Sequence, residues 1–443
     1  MNDADAPTVD SPKRALAVVL LIVFVDLVGF GILIPVIPLY AEAFGATEFV
    51  VGLLLASYSA TQFLFAPLLG RLSDERGRRP VLLLSLAGSV IAWTLFGLAE
   101  ALWMLFVARL IAGAMGGNIA AAQAYIADVT TEENRAKGLG LIGAAFGLGF
   151  VFGPAIGGLV SSDGALAFAR SILPAVVPVS QFTIPSFVAA AITFLNLAAA
   201  FVVLPETRRP EASPARRGRI AQLVDALSQR ALAGLVVAFF LASLAFSGME
   251  SMFVLFTKDV YGFGTTANGY ILAYLGVIIA IVQGGLVGRA AEIWPEKYLA
   301  LGGIAVEAVG LSAIPFAPAI GAILPATGPL VAGVPTLSAG LIALLVVLSI
   351  LAVGNGFANV SMTTLVSKNA AEERQGGAFG LTQSAGSIAR AVGPVAAGAL
   401  YTGIAYWTPF LAGGLLMLPI FVVLALTIVA APPVSQATPG AGD

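Results

Sequence analysis

The sequence predicts an all-α membrane protein with twelve transmembrane helices in two pseudo-symmetric six-helix bundles. Three observations carry this prediction. First, 59% of the 443 residues are apolar and 10% are charged, against roughly 45–50% and about 25% in soluble domains. Mean hydropathy is +0.97, and a single soluble core of this length is excluded because cores stop growing at about 250–300 residues. Second, the basic residues gather on one side of the predicted spans. Third, the two halves of the chain echo each other around a charged, proline-containing segment.

A transmembrane helix needs about 20 predominantly apolar residues. On that ruler the spans are 15–40, 50–70, 80–99, 102–125, 138–161, 184–204, 232–257, 268–290, 298–320, 337–365, 377–402 and 406–430. The first run is too long for a signal-peptide core of about 7–15 residues and reads as a retained helix. Helices rather than strands are expected because lipid cannot satisfy free backbone groups. Arg170 and Lys258 fall outside, and Arg109 and Arg390 fall within spans; the rest of the 22 lysines and arginines lie on the side of the N-terminus. Basic loops stay in the cytoplasm, so both termini are predicted to be cytoplasmic in a multi-pass protein of the cell membrane.

The domain plan follows. Residues 1–14 and 431–443 have the composition of disordered cytoplasmic tails, 15–204 and 232–430 form the two bundles, and 205–231 is a cytoplasmic linker containing Pro205, Pro210 and Pro214. Glu133-x-Arg135, Gly138 and Gly153-Pro154 in the first half recur as Glu373-Arg374, Gly377 and Gly393-Pro394 in the second. Parallel six-helix repeats with a substrate site between them are a recurrent transporter architecture. The largely apolar stretches 162–183 and 316–336 do not fit the span count and read as re-entrant or interfacial hairpins.

Composition also narrows the chemistry. Cysteine and histidine are absent, which removes disulfides, zinc sites and thiol or imidazole catalysis. A protonation switch must therefore be a carboxylate. The formal net charge of −2 gives no reason to expect a nucleic-acid partner. No G-x-x-x-x-G-K-[ST] signature occurs, which disfavours ATP-driven transport, and no catalytic constellation or cofactor site stands out. The chain is not expected to be an enzyme.

The loop between spans 2 and 3 reads Gly70-Arg71-Leu72-Ser73-Asp74-Glu75-Arg76-Gly77-Arg78-Arg79-Pro80, a tight two-glycine turn carrying carboxylates among arginines. Span 5 carries Gly149, Gly153, Pro154, Gly157 and Gly158. Glycines four apart let helix backbones approach closely, and proline removes a helix hydrogen bond. Topology enforcement by the arginines and an ordinary helix seam are the plain alternatives for these two segments.

With these motifs the chain resembles the major facilitator superfamily, whose signature loop has the form G-x-L-x-D-x-x-G-R-R/K, and more narrowly the proton-driven drug exporters related to the tetracycline-efflux proteins. The resemblance implies the major facilitator fold and a gate in which Asp74 caps the cytoplasmic end of span 11 while Arg78 pairs with Asp128, at the end of span 4. Gly70, Gly77 and Arg79 complete that loop; Glu75 stands where the family usually carries arginine. The glycine–proline set of span 5 matches the motif that this family associates with antiporters.

Charges within spans mark further candidates, because a charge at the bilayer centre costs about 2.5–3.5 kcal/mol on insertion scales. Asp26 lies about 17 Å from the inner face by helix rise, level with Arg109 at about 19 Å. The two are expected to pair as a proton-coupling site, a purely structural ion pair being the alternative. Glu250 in span 7 is read as an outer-vestibule group and a second proton-coupling candidate. Arg390 in span 11 is placed to meet an anionic substrate group or to balance Asp26 or Glu250. Glu307 in span 9 reads as peripheral, water-accessible or paired. Tyr58, Gln62, Asn118, Gln123, Asn355, Asn359 and Gln383 add polar groups to a substrate cavity, although each is individually as consistent with helix–helix contacts.

The function expected from the sequence is secondary active, proton-coupled efflux of a small amphipathic compound by alternating access, in a monomer whose partners are that compound, protons and the lipid bilayer. A major facilitator importer, or an exporter of lipids or metabolites, is the alternative.

Overall fold

The computed structural model describes residues 12–116, 118–207, 230–323, 338–370 and 375–428. The linker beyond Thr207, most of the 316–336 stretch, the Glu373-Arg374 echo and the C-terminal tail lie outside them. Every element among the described residues is helical, and no strand occurs there. Ten helices among the described residues are long and apolar enough to cross a membrane. The protein is thus an all-α, multi-pass membrane protein.

The first span is α1 (Pro12–Ile32) followed by α2 (Ile37–Ala43). Pro12–Arg14, assigned to the tail from composition, are the first residues of α1. The break falls at Pro35 and Pro38, since proline disfavours helical geometry in the residue before it and cannot donate a backbone bond. The next helices are α3 (Glu48–Arg76) and α4 (Arg78–Gly97). Thr47 caps α3 by accepting from the Val50 amide at 3.4 Å.

The fourth expected span is divided into α5 (Leu102–Met115) and α6 (Asn118–Val129). Gly116 ends α5, so neither piece reaches the length of a full crossing. The first half continues with α7 (Glu132–Val160), α8 (Asp163–Ile172) and α9 (Thr183–Val203). The stretch expected as a hairpin at 162–183 contains the short α8, capped by Ser162.

In the second half follow α10 (Arg230–Tyr261) and α11 (Thr265–Ile281), the latter passing through a π-helical turn at Val282–Leu286 into α12 (Val287–Ala291). After α13 (Glu296–Ala313), a 3₁₀ turn over Ile314–Phe316 leads into α14 (Ala317–Ile323). Pro315 lies in that turn. The final helices are α15 (Ala339–Asn369), α16 (Gln375–Gly403) and α17 (Thr408–Thr427).

Contacts divide the chain into two compact units. The first comprises Met1–Pro214 with Phe253–Gly276, and the second Ala215–Met252 with Val277–Asp443. In the first, α1 packs on α7 and α9, while α4 packs on α9 and α5. In the second, α13 packs on α15 and α17.

Polarity is arranged for lipid. Leu64, Leu195, Phe201 and Leu415 are exposed, whereas Arg109, Asn196 and Glu307 are buried. Asn196 donates to the Ile22 carbonyl at 2.9 Å, tying α9 to α1. Polar groups face inward because hydrocarbon offers them no partner.

Candidate functional site

The charged cluster of the first unit is built on α1, α3 and α5. Asp26 is half-buried on α1, one helical turn before Phe30 and therefore on the same face. The Phe30 ring lies 5.3 Å from that of Tyr58 on α3. Over Tyr58 sits the guanidinium of Arg109, 4.6 Å from the ring centroid. Arg109 is only 3% exposed. Its Nη2 donates to the Leu55 carbonyl at 3.3 Å, and its Nε and Nη1 have no hydrogen-bond partner among the described residues. A cation over an aromatic face gains about 2 kcal/mol or more when desolvated, which offsets part of the burial. Gln62, one turn after Tyr58, donates to the Gly116 carbonyl at 3.0 Å where α5 ends. The sequence nominated Asp26 and Arg109 as a pair and Tyr58 and Gln62 as cavity residues; the chain Asp26 face–Phe30–Tyr58–Arg109 connects three of the four.

At the opposite end of α3 the loop motif is more helical than its two glycines suggest. Gly70 lies inside α3, and the turn is made at Gly77 alone, a correction to the two-glycine turn. Residues 70–76 stay helical, and Asp74 in the last turn of α3 forms an ion pair with Arg78, the first residue of α4, across Gly77. Arg78 Nε also donates to Asp128 at 3.1 Å, and its Nη1 to Ser73 Oγ at 3.3 Å. Gly77 has φ of 109°, a conformation side chains rarely adopt. The Glu206 carboxylate accepts the Arg78 amide at 2.9 Å and the Arg79 amide at 3.2 Å, so an acid from the end of α9 satisfies the open N-terminus of α4. Arg79 Nη2 donates to the Phe201 carbonyl at 2.6 Å. Thr207 Oγ1 joins the network by donating to Asp128 at 3.2 Å. Glu206 and Thr207 were not singled out from the sequence, where they open a segment that reads as a spacer.

The glycine set of span 5 makes two seams. Against α1, a Cβ on Gly153 would lie 2.5 Å from Gly31 Cα, and one on Gly31 would lie 2.8 Å from the Gly149 carbonyl oxygen. Against α11, a Cβ on Gly158 would lie 2.8 Å from the Thr266 carbonyl oxygen and 3.1 Å from Gly269 Cα, and one on Gly269 would lie 2.5 Å from the Pro154 carbonyl oxygen. Gly157 faces Ile32. Also in this unit, Lys258 and Glu42 form an ion pair.

In the second unit, Glu307 is fully buried. Its Oε1 accepts from Asn355 Nδ2 at 3.0 Å, and its Oε2 has no partner among the described residues. Asn355, nominated for the cavity, thus partners Glu307, which is paired rather than water-accessible. Gly303, Gly310 and Gly354 bring α13 and α15 together around this pair. Glu250 and Arg390 are both half-buried and interact electrostatically. Asn359, Gln123 and Gln383 are exposed, and the side chain of Asn118 lies outside the described residues. No group of three or more acidic side chains suited to a metal ion occurs among the described residues.

Residues 19–334 match the family model described as Major Facilitator Superfamily. A tetracycline resistance protein, class H, from Pasteurella multocida is 29% identical over 403 residues, covering 89% of this chain and 91% of that protein. The class B tetracycline resistance protein of Escherichia coli is 34% identical over 312 residues, covering 69% and 73%. Among solved structures, a bacterial homologue of the human lysosomal transporter Spinster, inward-facing and occupied, superimposes with a TM-score of 0.71 at 14% identity, covering 95% of each chain.

Proposed function

The chain belongs to the Major Facilitator Superfamily, and from that premise we propose that it exports a small amphipathic compound in exchange for protons. The observation that carries this reading is the buried Arg109 guanidinium, only partly hydrogen-bonded and resting on Tyr58, whose ring packs on Phe30 of the α1 face that bears Asp26. In this reading Asp26 alternates between charge-pairing with Arg109 and carrying a proton, and substrate passage accompanies the exchange. The tetracycline resistance function named for the relatives supports export.

The remaining parts of the proposal follow from the same frame. The ten long helices, the divided α5–α6 pair and α16 make twelve crossings, with both termini cytoplasmic in the cell membrane. Two bundles, 15–204 and 232–430, rock as a monomer around a site near the midplane. Asp74, Arg78, Asp128 and Glu206 form a cytoplasmic latch, and the seams at Gly149–Gly158 serve as sliding contacts.

Reconstitution into proteoliposomes tests the proposal. With an imposed pH gradient and a panel containing tetracycline and ethidium, the wild-type protein should concentrate at least one compound. Asp26→Asn should lose gradient-driven accumulation while keeping its elution profile and melting temperature. Normal gradient-driven accumulation by that variant would remove Asp26 as the carrier, and a wild-type protein indifferent to the gradient would remove proton coupling.

A further inference from the structure

We propose that Arg390 is a recognition site for the anionic head group of the transported molecule, and that Glu250 is the internal counter-ion which that group replaces. The inference rests on the transporter reading and adds a substrate class to it: a small amphipath ending in a carboxylate, or a comparable oxyanion.

The argument starts from register. On α10, Ser243, Ser247 and Glu250 are spaced i, i+4 and i+7, which places them on one face. Gly386, Arg390, Gly393 and Ala397 repeat that spacing on α16. These two faces meet. A Cβ on Gly393 would lie 3.0 Å from the Leu244 carbonyl oxygen and 3.2 Å from the Gly248 amide nitrogen, while one on Gly248 would lie 3.3 Å from Ala397 Cβ. The glycines bring the backbones close enough to bury whatever stands between them, and Arg390 stands between Gly386 and Gly393.

The guanidinium leans back along its own helix, as long helical side chains do. A Cβ on Gly386 would lie 3.3 Å from Arg390 Nη1 and 3.4 Å from Ser243 Oγ, so the cation and that hydroxyl share the space a larger residue would fill. Arg390 Nη2 donates to Ser387 Oγ at 3.1 Å. Glu250 lies two turns beyond Ser243 on the same face and acts on Arg390 electrostatically. The site therefore holds a fork-shaped cation, two hydroxyls and one acid.

Burial separates this pair from the two sealed charges of the spans. Arg109 and Glu307 are sealed, at 3% and 0% exposure, whereas Arg390 and Glu250 are both half-buried. A charge pair within a span that keeps accessible surface can exchange partners. Guanidinium takes carboxylates and phosphates in bidentate fashion, and an incoming oxyanion that contacts Arg390 directly can take over from Glu250 the balancing of its charge. A neutral or cationic molecule has no such exchange available at Arg390.

Binding in nanodiscs tests this without requiring turnover. The probes are dansylglycine and its amide, which share the fluorophore and differ in the anionic head. The wild-type protein should bind dansylglycine about tenfold more tightly or better, the range expected for one charged hydrogen-bonded contact. Arg390→Ala should abolish that preference, Arg390→Lys should keep part of it, and Glu250→Gln should tighten dansylglycine binding while leaving the amide unchanged. Equal binding of the two probes by the wild-type protein would overturn the proposal, as would a preference that survives in Arg390→Ala. If Arg390→Ala does not fold, Glu250→Gln decides alone, and unchanged dansylglycine affinity in that variant sinks the idea. Discs of phosphatidylcholine with and without phosphatidylglycerol separate the two sources of anion: displacement of dansylglycine by phosphatidylglycerol would assign the site to a lipid head group instead of a transported solute. Gradient-driven accumulation of any compound of the panel, whatever its charge, reports separately on the transporter reading, so the two can fail independently.

Discussion

Glu206 accepts the backbone amide of Arg78 at 2.9 Å, joining the segment that follows α9 to the first residue of α4. The same carboxylate accepts the Arg79 amide at 3.2 Å, so one side chain satisfies two donors left open at a helix N-terminus. Losing a cap of this kind costs about 0.5–2 kcal/mol. Glu206→Ala should lower the melting temperature by a few degrees, and Glu206→Gln by less, because an amide oxygen still accepts. Gly77→Ala should be worse than either: it places a side chain at φ of 109° and against the Glu206 carboxylate. Thermal melts of the three purified variants give the order, and a Gly77→Ala protein as stable as wild type would contradict it.

Tyr58 carries the second prediction. Its ring supports the Arg109 guanidinium at 4.6 Å and touches Phe30 at 5.3 Å. Tyr58→Phe keeps the aromatic face and should change stability little, since Gln62 retains its bond to the Gly116 carbonyl. Tyr58→Leu removes the face while leaving the buried cation in place, and should destabilise the protein by about 1–2 kcal/mol. Equal melting temperatures for the Phe and Leu variants would show that the ring contributes only its volume.

How far these sites were legible in the sequence depends on the physics behind each. The helical class was readable because lipid admits few alternatives and because apolar runs of about 20 residues are hard to hide. Asp26, Arg109, Glu250 and Arg390 stood out for the same reason, as charges in apolar surroundings. What the sequence could not supply were contacts between distant segments. Glu206 begins a proline-containing stretch that looks like a spacer, and its role exists only because α9 ends beside Gly77. Asn355 looked like a cavity residue, yet its amide is aimed at Glu307 on another helix. Gly70 looked like part of a turn but continues a helix. The division of α5 from α6 at Gly116 was equally hidden, since the run 102–125 is apolar throughout enough of its length to pass for one crossing.

The Glu307–Asn355 contact gives a prediction about coupling. Asn355→Leu leaves a fully buried carboxyl group without its donor and should destabilise by about 1–3 kcal/mol. Replacing Glu307 by leucine as well removes the stranded group, so the double variant should recover much of that loss. The measurement is a double-mutant cycle on melting or denaturant unfolding, with an interaction term of about 0.5–3 kcal/mol expected for groups in contact. Additive effects would mean that the 3.0 Å contact contributes nothing measurable.

The seam between α1 and α7 makes the last prediction the easiest to control internally. A Cβ on Gly153 would approach Gly31 Cα to 2.5 Å, whereas one on Gly147, in the same helix, would meet nothing within 4 Å. Both substitutions to alanine add one methyl group and raise helix propensity by the same amount, about 0.8–1.0 kcal/mol in favour of the helix. They differ in what the methyl meets and in that Gly153 precedes Pro154, whose ring adds to the cost of a β-carbon there. Gly153→Ala must push two helix backbones apart, at a cost of about 1–3 kcal/mol for overpacking, while Gly147→Ala should be neutral or mildly stabilising. Because α1 also carries Asp26 and Phe30, displacement of that helix by Gly153→Ala should disturb the packing over Tyr58 and reduce transport more than it reduces the folded fraction. Side-by-side melts and proteoliposome uptake would show whether the glycine is needed for close approach: indistinguishable behaviour of the two variants would mean that the seam yields without penalty and that its glycines serve no packing purpose.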